Sequence, residues 1–244
     1  MVNLLGEKMT VNKKTFIILW VLCILGGWSI FPYVHHLGVL PSTVSIWKMA
    51  LVGTVQAVLF YGLIGWISFK LLPKTDLRPF PTVHRNRRLK QIVYPAFVAG
   101  VLVGLAIFVF NTTIFNRSLL LEVHPPLWTS ALASVYGAVN EEVLLRLFLF
   151  TLIYFLVGKC LTIRESNRLV ILWGVNIFVA LIFGVGHLPA AFKLMSPSAF
   201  EIFRVLFLNG IAGIVFGWLY WSKGLWTAIG AHFIADIMIH VLLV

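Results

Sequence analysis

The sequence predicts an all-α protein, a polytopic transmembrane helical bundle of about seven spans. Three observations predict it. First, 60% of the residues are hydrophobic and 11% are charged, whereas soluble domains carry about 25% charged and roughly 45–50% apolar residues. Second, the apolar residues fall into long runs separated by short polar or basic loops. Each run is near the roughly 20 residues that a helix needs to cross the hydrocarbon core. Third, Lys and Arg concentrate in alternate loops, the asymmetry that orients spans in a bilayer. With 244 residues mostly spent on spans, no length remains for a separate soluble domain. The net charge of +11 does not point to nucleic acid, because the basic residues are spread between apolar runs and form no phosphate-tracking stripe. The lipid bilayer is the expected partner.

Taken in order, Lys8, Lys13 and Lys14 precede an apolar run from Phe16 to Val34. No small-x-small cleavage pattern follows, so an uncleaved first span is expected. After a short loop with Pro41, the second span runs from Val44 to Phe69. Gly53, Gly62 and Gly65 on it permit close helix approach. A basic loop follows, with Lys70, Lys74, Arg78, Arg85, Arg87, Arg88 and Lys90, and reads as a positive-inside anchor. The third span is Ile92 to Phe110. The next loop holds Arg117, Glu122, Pro125 and Pro126, and two Asn-x-Ser/Thr triplets at Asn111 and Asn116. The run from Leu127 to Val157 would be roughly 45 Å long as a helix, against a hydrocarbon core of about 30 Å. It must tilt or break, and Gly137 is the weak point. The fifth span is Leu169 to Val185, with His187 and Pro189 at its end. A loop carrying Lys193, Pro197, Glu201 and Arg204 leads to a sixth span, Val205 to Trp221. Ser222-Lys223-Gly224 is a tight turn, and the seventh span begins at Leu225.

Counting Lys and Arg on alternate sides places the N-terminus inside and the C-terminus outside. Organisation divides at residue 126: residues 1–126 hold about three spans and residues 127–244 about four. Cys23 and Cys160 lie far apart, with no Cys-x-x-Cys pattern, so neither a disulfide framework nor a cysteine metal site is expected.

Chemistry concentrates in the second half, where three polar clusters interrupt apolar runs. Charge is costly in a bilayer and usually has a partner and a function. The first cluster is Glu141, Glu142 and Arg146. Glu142 and Arg146 are four apart, so on a helix they share a face and neutralise each other. Glu141 is turned about 100° away and is left to act elsewhere. The second cluster pairs Phe183 with His187, one turn later. The third pairs His232 with Asp236, again four apart. Singly, each has a plain structural reading: an interfacial histidine, an interhelical hydrogen bond, a buried ion pair. Together, Glu, His, His and Asp on three spans form a set from which a bundle core builds either a metal site or an acid–base site. Asn176 and Asn209 are expected to hydrogen-bond between helices.

The order Glu-Glu-x-x-x-Arg, Phe-x-x-x-His, His-x-x-x-Asn/Asp resembles the CPBP family of membrane proteases. That family includes type II CAAX prenyl endopeptidases and bacterial bacteriocin-processing or immunity (Abi) proteins. The resemblance covers about Leu127 to Val244. It implies a membrane-embedded cavity in which Glu141 and His187 activate a water, while His232 and residue 236 stabilise the oxyanion. Glu142, Arg146 and Phe183 would support the site. It leaves two mechanisms open: a metalloprotease, with zinc at His187, His232 and Glu141, or a metal-independent glutamate-type protease. Many family members carry Asn where this chain has Asp236. An amide can donate to an oxyanion and an ionised carboxylate cannot, so Asp236 is protonated, orients His232 or binds a metal.

The expected function is therefore an intramembrane endopeptidase. Its substrate would be a membrane-associated peptide or protein, of the prenylated CAAX type or bacteriocin-like. The alternatives are a non-catalytic immunity or assembly protein that keeps the protease fold, and an ion-coupled transporter, which the lack of inverted repeats disfavours. The expected location is a bacterial plasma membrane with the N-terminus cytoplasmic. One tension is visible in the spacing. Counted from the loops, Glu141 and His187 fall near the outer ends of their spans and His232 near the inner end, an offset of roughly 15 Å.

Overall fold

The computed structural model describes residues 13–38, 45–81, 87–116, 125–194 and 196–243, and among these there is no strand. Seven helices are long and apolar enough to cross a membrane: Lys13–His36 (span 1), Trp47–Lys74 (span 2), Leu89–Thr113 (span 3), Leu127–Cys160 (span 4), Glu165–Leu194 (span 5), Ala199–Lys223 (span 6) and Leu225–Leu242 (span 7). The features expected at Lys8, Pro41, Arg85, Arg117 and Glu122 lie outside the described residues. In spans 4 to 6, 39% of the most apolar stretch is buried within the bundle, against 17–22% in spans 1 to 3. The second half of the chain therefore supplies the centre, and the first three spans flank it.

Small residues set the close approaches. A Cβ on Gly100 would stand 2.6 Å from the Ala231 carbonyl oxygen, and one on Gly104 would stand 2.5 Å from Met238 Cβ. Gly100-x-x-x-Gly104 thus seats span 3 directly on span 7, as small-x-x-x-small pairs do in lipid. The span 2 glycines work differently. Gly53, Gly62 and Gly65 accept the rings of Phe31, Trp20 and Phe16 from span 1.

Span 4 neither stops nor breaks at Gly137. It changes winding there, to a π-helix over Gly137–Glu141 and again over Val143–Phe150, before closing as α-helix through Thr151–Cys160. Short π segments inside helices are uncommon and gather at functional sites. Here they fall on the charged motif.

Two boundaries differ from the sequence reading. Span 5 continues through His187 and Pro189 to Leu194. Proline removes a single N–H near the helix end, and Ala190, Ala191 and Phe192 carry the helix on, with Ala191 buried. Span 6 begins at Ala199 rather than Val205, because Ser198 and Glu201 form a capping box, each satisfying a backbone N–H of the other. Arg204 is consequently on the helix. It is buried, and its Nε donates to Asn111 Oδ1 at 2.8 Å. Asn176 bonds across to span 6 at the Ile214 carbonyl, as expected, whereas Asn209 bonds within its own helix to Val205. Cys23 is buried and Cys160 exposed, both free.

The segment after span 2 is strapped across one end of the bundle. Leu72 and Leu77 are buried. Asp76 accepts from Tyr154 Oη at 2.7 Å and pairs with Arg168. Pro79 O accepts from Leu225 N at 2.8 Å. Gly224, at φ 103°, turns the chain directly beneath Pro79 and Pro81. Span 7 therefore starts beneath this strap.

Candidate active site

The site is built on Glu142, which is fully buried. Its Oε1 accepts from Arg146 Nη1 at 2.8 Å, one helical turn on, and from His232 Nδ1 at 2.8 Å, across from span 7. A carboxylate oxygen only accepts, so His232 carries its proton on Nδ1 and turns Nε2 into the space beyond. Arg146 is equally buried. Its Nη2 donates to the Gly213 carbonyl of span 6 at 3.1 Å. Its guanidinium lies 5.0 Å from the Phe183 ring and 5.8 Å from the Phe216 ring. Such faces stabilise a desolvated guanidinium where no further hydrogen-bond partner is available. Four helices are joined through one ion pair.

The aromatic rings also fix the imidazoles. Phe216 stacks on His232 with centroids 4.6 Å apart and planes at 19°. Phe183 meets His232 edge-on at 5.7 Å and His187 edge-on at 4.7 Å. His187 Nδ1 lies 2.8 Å from the Phe183 carbonyl oxygen. A carbonyl accepts, so this nitrogen donates, and His187 keeps its Nε2 lone pair free.

Beyond Nε2 of His232 stand two carboxylates. Glu141 Oε2 is at 3.8 Å and Asp236 Oδ1 at 3.6 Å. Both separations exceed a hydrogen bond, and both side chains keep partial access, 25% for Glu141 and 19% for Asp236. Glu141 is also within electrostatic range of His187. The structure thus brings together Glu141, Glu142, Arg146, Phe183, His187, His232 and Asp236 from spans 4, 5 and 7. The offset in depth is absorbed at the span 7 end. His232 is seven residues past Leu225, but Leu225 is itself buried under the Pro79 strap, so a short count from the turn does not mean a shallow position.

Several neighbours escaped the sequence reading. Gly137 is the floor of the site: a Cβ there would stand 2.6 Å from Asp236 Oδ2 and 3.3 Å from His232 Nε2. Phe216 left no signal, since a phenylalanine in an apolar run is ordinary. His240 did leave one. It follows Asp236 by four residues, as Asp236 follows His232, and it lies within electrostatic range of Asp236, His187 and His232. Tyr33 of span 1 reaches Asp236 in the same sense, and Tyr136 reaches Glu141.

Among the described residues no three His, Cys, Asp or Glu side chains are gathered as a metal-holding group. His187, His232 and Glu141 as placed are not gathered into a zinc ligand set.

A bundle of apolar helices with an acid–base cluster among them defines an integral, multi-pass membrane protein. Residues 123–238 match the family model of the type II CAAX prenyl endopeptidase Rce1-like proteins. For this stretch the match supports the CPBP grouping of membrane proteases and the fold of a CAAX-type intramembrane endopeptidase. No curated protein and no solved structure matches the chain.

Proposed function

We propose that this protein is an intramembrane endopeptidase of the glutamate type, acting on a peptide bond presented within the bilayer. The reading rests on one observation above all: Glu142 is bound by both Arg146 and His232, while its neighbour Glu141 has no hydrogen-bond partner among the described residues and keeps a quarter of its side chain accessible. Glu141 is the general base. A water donates one hydrogen to the Glu141 carboxylate and the other to the free Nε2 of His187. Its oxygen attacks the scissile carbonyl carbon as Glu141 takes the proton. His232, holding a second proton on Nε2 as an imidazolium among Glu142, Glu141 and Asp236, donates that N–H to the oxyanion. Collapse breaks the C–N bond, and Glu141 returns its proton to the leaving amine. Asp236 orients His232 and closes the cavity against Gly137. General acid–base assistance of this kind contributes roughly 10²–10⁴-fold.

The substrate is a membrane-associated peptide or protein, prenylated in the CAAX manner or bacteriocin-like, because a peptide bond can meet Glu141 only by entering the apolar bundle. The charge asymmetry of the loops supports a cytoplasmic N-terminus in a plasma membrane. The test is cleavage of matched prenylated and unprenylated peptides by the purified protein in vesicles. Glu141→Gln and His187→Ala are expected to abolish turnover while the thermal unfolding profile persists. Cleavage retained by either variant rejects the mechanism.

A further inference from the structure

Asn140 is the residue before the proposed base, and it is fully buried. Its side chain points away from the site, towards span 1. There Nδ2 donates to the Cys23 carbonyl at 2.8 Å, across 117 positions of sequence. Oδ1 has no conventional partner, yet it is not idle. A Cβ built on Gly26 would run into Oδ1, so the α-hydrogen of Gly26 in that direction points at it, a weak Cα–H···O contact. Cys23 and Gly26 lie on one turn of span 1 and both are buried. Together they hold both ends of one carboxamide, and Tyr61 of span 2 stands beside it.

The clamp matters because of where it acts. Asn140 lies in the π segment Gly137–Glu141. This winding is irregular, and an external bond that fixes one residue fixes the rotation of its neighbours. Asn140 and Glu141 are consecutive, so holding one against span 1 sets the direction of the other, whose Oε2 lies 3.8 Å from His232 Nε2. The site floor, Gly137, belongs to the same segment. Span 1 lies outside the stretch matched to the protease family, and nothing in its composition marks it as more than a membrane anchor.

We propose that Asn140 is a positioning residue and that span 1, through Cys23 O and Gly26, sets the register of the π turn that carries Glu141. This rests on Glu141 being the base, but the test separates the two ideas. Hydrogen exchange by mass spectrometry reads the turn without any substrate. In Asn140→Ala, exchange of the 137–142 amides is expected to rise at least about 10-fold, with residues 151–160 unchanged. For the enzyme, turnover is expected to fall about 10- to 100-fold, the cost of a misplacement near 1 Å, with KM within a factor of about two. Asn140→Asp should fare no better, since an ionised carboxylate cannot donate to Cys23 O.

A double-mutant cycle excludes a merely structural effect. Gly26→Ala alone should impair turnover, because its methyl displaces the carboxamide. In the Asn140→Ala background the same change should be nearly silent, because the methyl then has room. If Asn140→Ala leaves both exchange and turnover unchanged, or if Gly26→Ala is equally harmful in both backgrounds, the clamp is overturned. If exchange responds but the unmodified protein cleaves nothing, the clamp stands and the peptidase reading falls.

Discussion

Gly137→Ala is the sharpest probe of the site, because it separates stability from catalysis. The added Cβ would stand 2.6 Å from Asp236 Oδ2 and 3.3 Å from His232 Nε2. Ordinary contact begins near 3.4 Å, so Asp236 must retreat by about 0.8 Å, the shortfall between these distances, and His232 by about a tenth of an ångström. Overpacking a rigid core costs about 1–3 kcal/mol, but the displaced atom is the tip of a partly accessible side chain, so the lower end applies. Replacing Gly by Ala within a helix returns about 1 kcal/mol. The two nearly cancel, and the unfolding midpoint in detergent should move little. Turnover has no such compensation. A carboxylate displaced by most of an ångström beside the oxyanion donor should lower kcat roughly 100-fold. Paired thermal scans and cleavage assays decide the matter. Full activity in Gly137→Ala would show that neither Asp236 nor His232 needs its observed position, and the proposed geometry would be wrong.

Other expectations follow from the same arrangement of side chains. Arg146→Met strands the fully buried Glu142 and should cost about 3–5 kcal/mol, read by denaturant midpoint. The double variant Glu142→Gln/Arg146→Met should recover part of that, and a loss below about 1 kcal/mol in the single variant contradicts the pairing, since buried pairs broken on one side cost several times more. Gly224→Ala places a side chain at φ 103° against Pro79 and Pro81 and should destabilise by about 1–3 kcal/mol; an unchanged melting profile would mean that the strap does not seat there. Phenanthroline should leave cleavage unchanged, and loss of activity restored by zinc would reinstate a metal mechanism.

Much of this arrangement was legible because it depends on spacing along a helix. Seven apolar runs became seven spanning helices, and Glu142 with Arg146, or His232 with Asp236, met at four-residue intervals as a 3.6-residue period requires. What the sequence hid lay mostly between helices or in departures from that period. No local pattern says that His232 Nδ1 would choose Glu142 over Glu141, since both carboxylates are adjacent in sequence. The choice is made in three dimensions, where Glu142 Oε1 reaches His232 Nδ1 at 2.8 Å and Glu141 Oε2 stays 3.8 Å from Nε2. Gly137 looked like a hinge because glycine weakens helices, yet its missing side chain is filled by Asp236 and His232. Ser198-x-x-Glu201 was a readable capping signal, and it moves the start of span 6 by six residues. The strap at Pro79 was unreadable, because prolines in a basic loop suit many paths.

The adjacency of the two glutamates has a physical logic. A lone carboxylate in a bilayer centre is costly, and a lone ion pair there is chemically inert. Glu142 takes the structural burden: Arg146 and His232 both bind the same oxygen, and Arg146 in turn ties down span 6 through Gly213. That network gathers spans 4, 6 and 7 and packs Phe183 of span 5 against them. Glu141 then stands in a polar niche already assembled by its neighbour, and no hydrogen bond has to be broken before it accepts a proton. Exchanging the two roles would place the free carboxylate in the sealed interior and the ion pair at the cavity, leaving a base that no water could reach. On the proposed reading, the order of the motif along the helix decides which carboxylate meets the substrate.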